Sequence, residues 1–350
     1  MVLRAMSGLV FPLLLVSSSL FAEALQVKPD HPQQYTVVKG DTLWDVSGRF
    51  LQHPWQWPQL WRNNPQIENP HWIYPGDTLY FSYVDGEPRL SLSPRIDADD
   101  TGEVRLTPTI RESAIERPVP MIAGELIAKF LSSPKVVGPG ELEAAPYVLE
   151  IVGDRLVAGA GDRIYVRAIE HPTTLRYTVY RPGAPYINPE TQEVLGYEAD
   201  YVADASLQAE GDPATLTIVK SQSEIRRGDR LMTGDRAELA FNYFPKPPEQ
   251  KILGNIIRVM GGVSHVGKRD IVVIDKGTAD GLEVGHVLNI LKRGRVVNDT
   301  IGLPGEAMQV RLPDELAGEL LVFRPFERVS YALIMSTTGS IRVLDRVSSP

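Results

Sequence analysis

Six histidines, at positions 31, 53, 71, 171, 265 and 286, are the side chains best suited to metal or acid–base chemistry, and their spacing supports neither. No His-x-His or His-Glu-x-x-His pattern occurs, so the ligand set of a zinc peptidase is missing. Gly262-Val263-Ser264-His265-Val266 approaches a nucleophile elbow but lacks its final glycine. Cysteine is absent altogether, which excludes disulfides, thiolate zinc sites, iron–sulfur clusters and cysteine nucleophiles. Asp97-Ala98-Asp99-Asp100 lacks the spaced oxygens and distal glutamate of a calcium loop and reads as an acidic turn. No P-loop or dinucleotide fingerprint is present. A glycosidase carboxylate pair leaves no trace in sequence because its spacing is spatial, but the small β units described below offer no large fold for such a cleft. The expectation is a non-enzyme with no cofactor and no metal.

Recognition chemistry is better represented. All five tryptophans, Trp44, Trp55, Trp57, Trp61 and Trp72, fall within 29 residues. The elements that must position them follow from local pattern. Tyr35-Thr36-Val37-Val38 is a β-branched strand signal, and Asp41 after it is a helix N-cap candidate. Leu43, Val46 and Phe50 then share one helical face. Pro58 suits the first position of a second helix carrying Leu60 and Trp61, and Asn64-Pro65 ends it. Tyr74-Pro75-Gly76-Asp77 has the form of a type II turn, and Thr78-Leu79-Tyr80-Phe81 reads as the closing strand.

This strand–helix–helix–strand unit resembles a LysM domain. The resemblance rests on Tyr35 to Trp44, on Trp61-Arg62-Asn63-Asn64-Pro65, and on Ile73-Tyr74-Pro75-Gly76-Asp77-Thr78-Leu79. It departs from the common form in the aromatic stretch His53 to Pro58 and in Asn69-Pro70-His71-Trp72. The resemblance implies binding of N-acetylglucosamine-containing glycans, in bacteria peptidoglycan, in a shallow groove between two loops. Carried onto this chain, the groove takes Gly40, Asp41, Thr42 and Leu43 from one loop, and Asn64, Pro65, Ile67, Ile73, Tyr74, Pro75 and Gly76 from the other. An N-acetyl group offers one donor, one acceptor and a methyl, which two backbone segments and an apolar wall can match. Leu43 and Trp44 also read as core, and Asp41 as a cap. Trp55, Trp57 and Trp72 are candidate aromatic contacts to glycan or partner, with core filling as the alternative.

The rest of the chain sets the context. At 350 residues there is room for about two domains or several small ones. A formal charge of −8 argues against nucleic acid. Arg4, the apolar run Leu9 to Val16 and Ala22-Glu23-Ala24 form a signal-peptide pattern over residues 1–24. That run falls short of the roughly 20 residues of a spanning helix, so no transmembrane segment is expected in the mature chain. A small exported module without disulfides fits a Gram-negative periplasm.

The fold expected is multidomain: a small α+β LysM unit (33–83), a β-rich connecting region with short helices (84–146), and two related β modules (147–243 and 251–350) joined by a proline-rich linker (244–250). The modules are expected to be barrels or sandwiches of alternating strands. Gly161-Asp162-Arg163-Ile164-Tyr165-Val166 parallels Lys268-Arg269-Asp270-Ile271-Val272-Val273. Leu216 to Leu231 matches Ala332 to Val347 at a constant offset of 116, and Gly196 parallels Gly318. The functional expectation is a non-catalytic, cell-wall-associated peptidoglycan-binding protein of the envelope, whose β modules bind a partner or act as scaffold. The alternative is an envelope assembly factor whose LysM and β modules bind protein instead of glycan.

Overall fold

The computed structural model describes residues 25–61, 73–92, 119–122, 124–132, 135–153, 155–169, 172, 174–233, 243–260, 265–299 and 308–350. The signal-peptide pattern, the acidic turn at 97–100, and Asn64, Pro65, Ile67 and Trp72 lie outside the described residues.

The N-terminal unit has strand β1 (Gln34–Thr36), helices α1 (Leu43–Ser47) and α2 (Trp57–Trp61), and strand β2 (Thr78–Val84). A further strand, β3 (Glu87–Leu92), pairs along β2, so the sheet order is β1-β2-β3. Leu43 and Val46 are buried on one face of α1; Phe50, expected on the same face, lies in the turn beyond the helix end at Ser47 and is buried from there. They pack with Trp57, Leu60, Trp61, Ile73 and Leu79 in one core. The cap of α1 differs from the sequence reading. Thr42, and not Asp41, accepts the Asp45 N–H at 3.1 Å. Asp41 turns back instead, accepting the Val38 N–H and the Tyr35 hydroxyl, both at 2.9 Å. The threonine hydroxyl sits one residue nearer the first turn and reaches it, which frees the carboxylate to close the loop.

After α3 (Gly124–Ser132), β4 (Lys135–Val137) and α4 (Glu141–Ala144) come six strands. They are β5 (Tyr147–Ile151), β6 (Arg163–Arg167), β7 (Arg176–Ile187), β8 (Val194–Ala209), β9 (Ala214–Ser221) and β10 (Arg230–Thr233). Because β8 pairs with both β7 and β9, the circuit β5-β6-β9-β8-β7-β10 closes, with β4 added beside β8. The C-terminal part runs β11 (Leu253–Val259), β12 (His265–Val266), β13 (Ile271–Ile274), β14 (Val287–Lys292), β15 (Val296–Asp299), β16 (Met308–Arg311), β17 (Glu315–Pro325), β18 (Ser330–Thr337), β19 (Ile341–Arg342) and β20 (Arg346–Ser348). Its closed barrel has the order β11-β13-β18-β17-β14-β20. Substituting β11 for β5, β13 for β6, β18 for β9, β17 for β8, β14 for β7 and β20 for β10 turns one order into the other. The two modules therefore share one topology, and closure leaves few free edges.

Local hydrogen bonds fix the equivalence. The Arg226 N–H donates to Asp229 and the Arg342 N–H to Asp345, each at 2.8 Å and at the offset of 116. The Gly159 N–H donates to Asp162 and the Gly267 N–H to Asp270, each at 2.9 Å. Asp162 thus corresponds to Asp270, one residue away from the alignment read from sequence. That one-residue slip matters, because it exchanges the two faces of a strand: inward Ile164 matches inward Val272, while Ile271 faces out. Gly318 also has a different counterpart. It pairs with Thr337 as Ala203 pairs with Ser221, so Ala203, and not Gly196, is its equivalent.

The strands of the second barrel do not alternate as expected; Ile271–Ile274 is buried throughout. Val272, Ile274, Leu320, Val322, Ala332 and Ile334 fill the barrel interior. Ile271, Val273, Leu321, Phe323, Tyr331 and Leu333 point outward and are covered by Trp44, Trp55, α3 and the end of the β7–β8 hairpin. Strands buried on both faces read as continuous apolar runs.

Asp229 is buried and takes Arg181 as a two-pronged partner at 2.9 and 2.8 Å as well as the Arg226 N–H. Asp345 is buried and takes two backbone N–H groups, from Arg342 and Arg293. Replacing either with Ala removes the charged acceptor of these part-buried hydrogen bonds and should cost about 1–3 kcal/mol. Urea unfolding of full-length protein should show the larger loss for Asp229→Ala; an unchanged midpoint in both would contradict this account of the repeated turn.

Candidate functional site

The two loops expected to form the groove are brought together by backbone pairing. The Val37 N–H donates to the Asp77 carbonyl at 2.8 Å, and the Gly76 N–H donates to the Val37 carbonyl at 2.7 Å. The predicted turn is present: the Asp77 N–H reaches the Tyr74 carbonyl at 3.1 Å, with Gly76 at φ +94°. Gly40, at φ +97°, serves the first loop in the same way. Both glycines face open space, so it is the left-handed backbone, and not a tight approach, that favours glycine here.

Gly40, Asp41, Tyr74, Pro75 and Gly76 are exposed or half-buried, whereas Thr42, Leu43 and Ile73 are buried. The first loop therefore lies beside the Tyr74–Asp77 turn, with the side chains of Leu43 and Ile73 buried beneath. Both residues also bond a segment absent from the sequence reading. The Val119 N–H donates to the Ile73 carbonyl at 2.7 Å, and the Leu43 N–H donates to the Pro120 carbonyl at 2.9 Å. Val119 and Met121 are buried in the LysM core. The only sequence signal was the alternation of apolar Val119 and Met121 around Pro120. The exposed rings of the unit also differ from those expected: Tyr80 and Tyr83, along β2, are open to solvent.

The candidate tryptophans face protein. Trp55 is 5% exposed and Trp44 2% exposed, both packed on the outer wall of the second barrel. Trp57 lies in the LysM core with its ring 6.1 Å from that of Phe244, in the segment that follows the first barrel. The described candidate contacts, Trp55 and Trp57, thus lack a free face for a sugar ring.

Charged groups surround this packing. Lys268 meets Asp45 at 2.6 Å, with Arg269 at 4.0 Å, and His53 meets Glu319 at 3.1 Å. Burial alone would raise the Asp45 carboxyl, but hydrogen bonds from Lys268 and Thr42, together with the Lys268 and Arg269 charges, hold it below its usual range. At Glu319 burial dominates and pushes the carboxyl up, against the opposing pull of His53 and Ser336. Among the described residues no group of three His, Asp or Glu could hold a metal, and no helix is long and apolar enough to cross a membrane.

Residues 35–82 match the LysM domain family. The chain is therefore a LysM domain-containing protein whose remaining length is mostly β. The LysM domain is a non-catalytic module that generally binds peptidoglycan- or chitin-type glycans. A relative, the uncharacterized protein YqbP of Bacillus subtilis (strain 168), is 41% identical over 58 residues. The match covers 14% of this chain and 26% of that protein, so the chain spans about a quarter of the relative's length.

Two measurements check the interface. Trp55→Ala should destabilise full-length protein by about 3–5 kcal/mol through lost packing; a change near zero would place Trp55 outside the interface. Glu319 binds its proton more tightly when folded, so its contribution to stability falls as pH rises above the ordinary glutamate value of about 4.3. Glu319→Gln should remove that fall, giving a flatter stability profile toward neutral pH than wild type. Parallel profiles would show that Glu319 is not the group responsible.

Proposed function

We propose that this chain is a non-catalytic peptidoglycan-binding protein of the cell envelope. It would be exported by residues 1–24 and would act in the periplasm of a Gram-negative bacterium, associated with the cell wall. The observation that carries the reading is the match at 35–82 together with its two neighbouring loops, whose Leu43 N–H and Ile73 carbonyl, bonded here to Pro120 and Val119, are a donor and an acceptor. These two groups suit the acceptor and donor of an N-acetyl substituent, and Gly40, Asp41, Tyr74, Pro75 and Gly76 form the accessible rim. A single shallow groove binds weakly, so several copies or additional contacts would be needed to hold the protein on the wall.

The β modules would serve as scaffold or partner-binding units. The β15–β16 ribbon supports this reading, since Val296, Met308 and Val310 are exposed on it. A second reading, an envelope assembly factor whose LysM unit binds protein, is favoured by the burial of Trp44 and Trp55 against the chain's own barrel. Crosslinking in cells before and after wall digestion separates the two: a protein partner retained after digestion supports the second.

Co-sedimentation of full-length protein with purified sacculi tests the first reading. We expect saturable pelleting that a soluble N-acetylglucosamine oligomer reverses. Protein that stays in the supernatant at every concentration, beside a LysM control that pellets, removes wall binding by this chain.

A further inference from the structure

The segment Val119–Met121 bridges the two LysM loops through backbone hydrogen bonds. It is neither helix nor strand. On one side the Val119 N–H reaches the Ile73 carbonyl at 2.7 Å; on the other the Pro120 carbonyl accepts the Leu43 N–H at 2.9 Å. Val119 and Met121, two apart in an extended stretch, point into the LysM core at 3% and 2% exposure, while Pro120 between them is exposed. The segment thus presents one donor, one acceptor and apolar surface, the same set that an N-acetyl group presents.

We infer that Val119–Met121 is an intramolecular peptide ligand of the LysM groove, and that a glycan must displace it to bind. This inference rests on the glycan reading of the same loops. Its physical basis is that the Leu43 N–H donates to this segment and the Ile73 carbonyl accepts from it. A buried backbone group that loses its partner must find another, so segment and sugar compete for the same two groups. The segment is also anchored downstream. Ile122 packs into the cluster between the LysM unit and the second barrel, and α3 follows immediately, with Ile127 and Leu131 on the barrel wall and the Phe130 carbonyl accepting from Arg324 at 2.8 Å. Displacement therefore loosens the path from the groove to the barrel, and a partner that moved α3 would alter the groove.

A groove closed about nine-tenths of the time binds its ligand about tenfold more weakly than an open one. The test is titration of full-length wild type and of Val119→Asp/Met121→Asp with the β-1,4 tetramer of N-acetylglucosamine. The variant should bind about tenfold more tightly, since two buried carboxylates expel the segment. Equal affinities overturn the inference and leave the glycan reading intact; binding by neither protein overturns both. Amide hydrogen exchange on wild type needs no variant to fold. At saturating tetramer the Val119 amide should exchange faster while the Leu43 amide stays protected. A Val119 amide still protected at saturation overturns the inference by itself.

Discussion

Burial of Trp44 and Trp55 on the outer face of the second barrel is the contact on which the rest of the arrangement depends. It explains why Ile271–Ile274 is buried on both faces, why the LysM unit carries more tryptophan than its own small core needs, and why His53 and Asp45 find partners more than 200 residues away, at Glu319 and Lys268. A small domain on a flexible tether would place its binding loops at random relative to its neighbours. Here the aromatic face and its flanking ion pairs fix the loops relative to the barrel. The tryptophans supply most of the attraction, because half-exposed ion pairs such as Lys268–Asp45 are individually worth little.

The first barrel joins the same assembly from another side. Tyr186, near the tip of the long β7–β8 hairpin, meets Tyr331 of the second barrel with hydroxyl oxygens 3.3 Å apart, and Arg258 lies over the Tyr186 ring at 4.4 Å while pairing with Glu198 at 2.5 Å. In this hairpin the duplicated topology departs from symmetry: β7 and β8 are longer than their counterparts β14 and β17. The added length of β7–β8 provides the surface that covers the sister barrel. Duplication supplied two closed cores, and the extension of one copy supplied the contact between them.

Features carried by local chemistry were legible in the sequence. Gly40 and Gly76 were readable because left-handed backbone selects glycine, and Leu43 and Val46 because one turn of helix sets their spacing. The repeat was legible at Asp229 and Asp345 because each closes its own turn with its own side chain. What failed depended on choices that neighbouring residues make almost equally well, or on distant surfaces. Thr42 and Asp41 are both good caps, and only the loop behind them decides which one is used. The alignment around Asp162 slipped by one because both faces of β13 are apolar, which removes the period-two signal that normally fixes register. The destination of Trp55 was not legible, since nothing local distinguishes a ring that waits for sugar from one that meets a barrel wall.

The groove shows the same limit most sharply. Leu43 and Ile73 were both read as site residues; the structure buries both side chains, which does not tell which partners their backbone groups take. The Leu43 N–H donates to the Pro120 carbonyl and the Ile73 carbonyl accepts the Val119 N–H, and in a buried setting neither bond is lost without cost. Peptide and N-acetyl group meet the requirement equally well in number of bonds, so exchanging one for the other changes the hydrogen-bond count by zero. Selectivity must then come from what differs between them. The peptide adds the buried side chains of Val119 and Met121 and is tethered to the loops; a glycan bound as proposed would be untethered and would add contacts along the accessible Gly40, Tyr74 and Pro75. A covalently attached competitor has a fixed effective concentration, whereas that of a glycan rises with the local density of strands. Under the inferred competition the segment lowers the apparent affinity by the fraction of time the groove is open and leaves the shape of the binding curve unchanged.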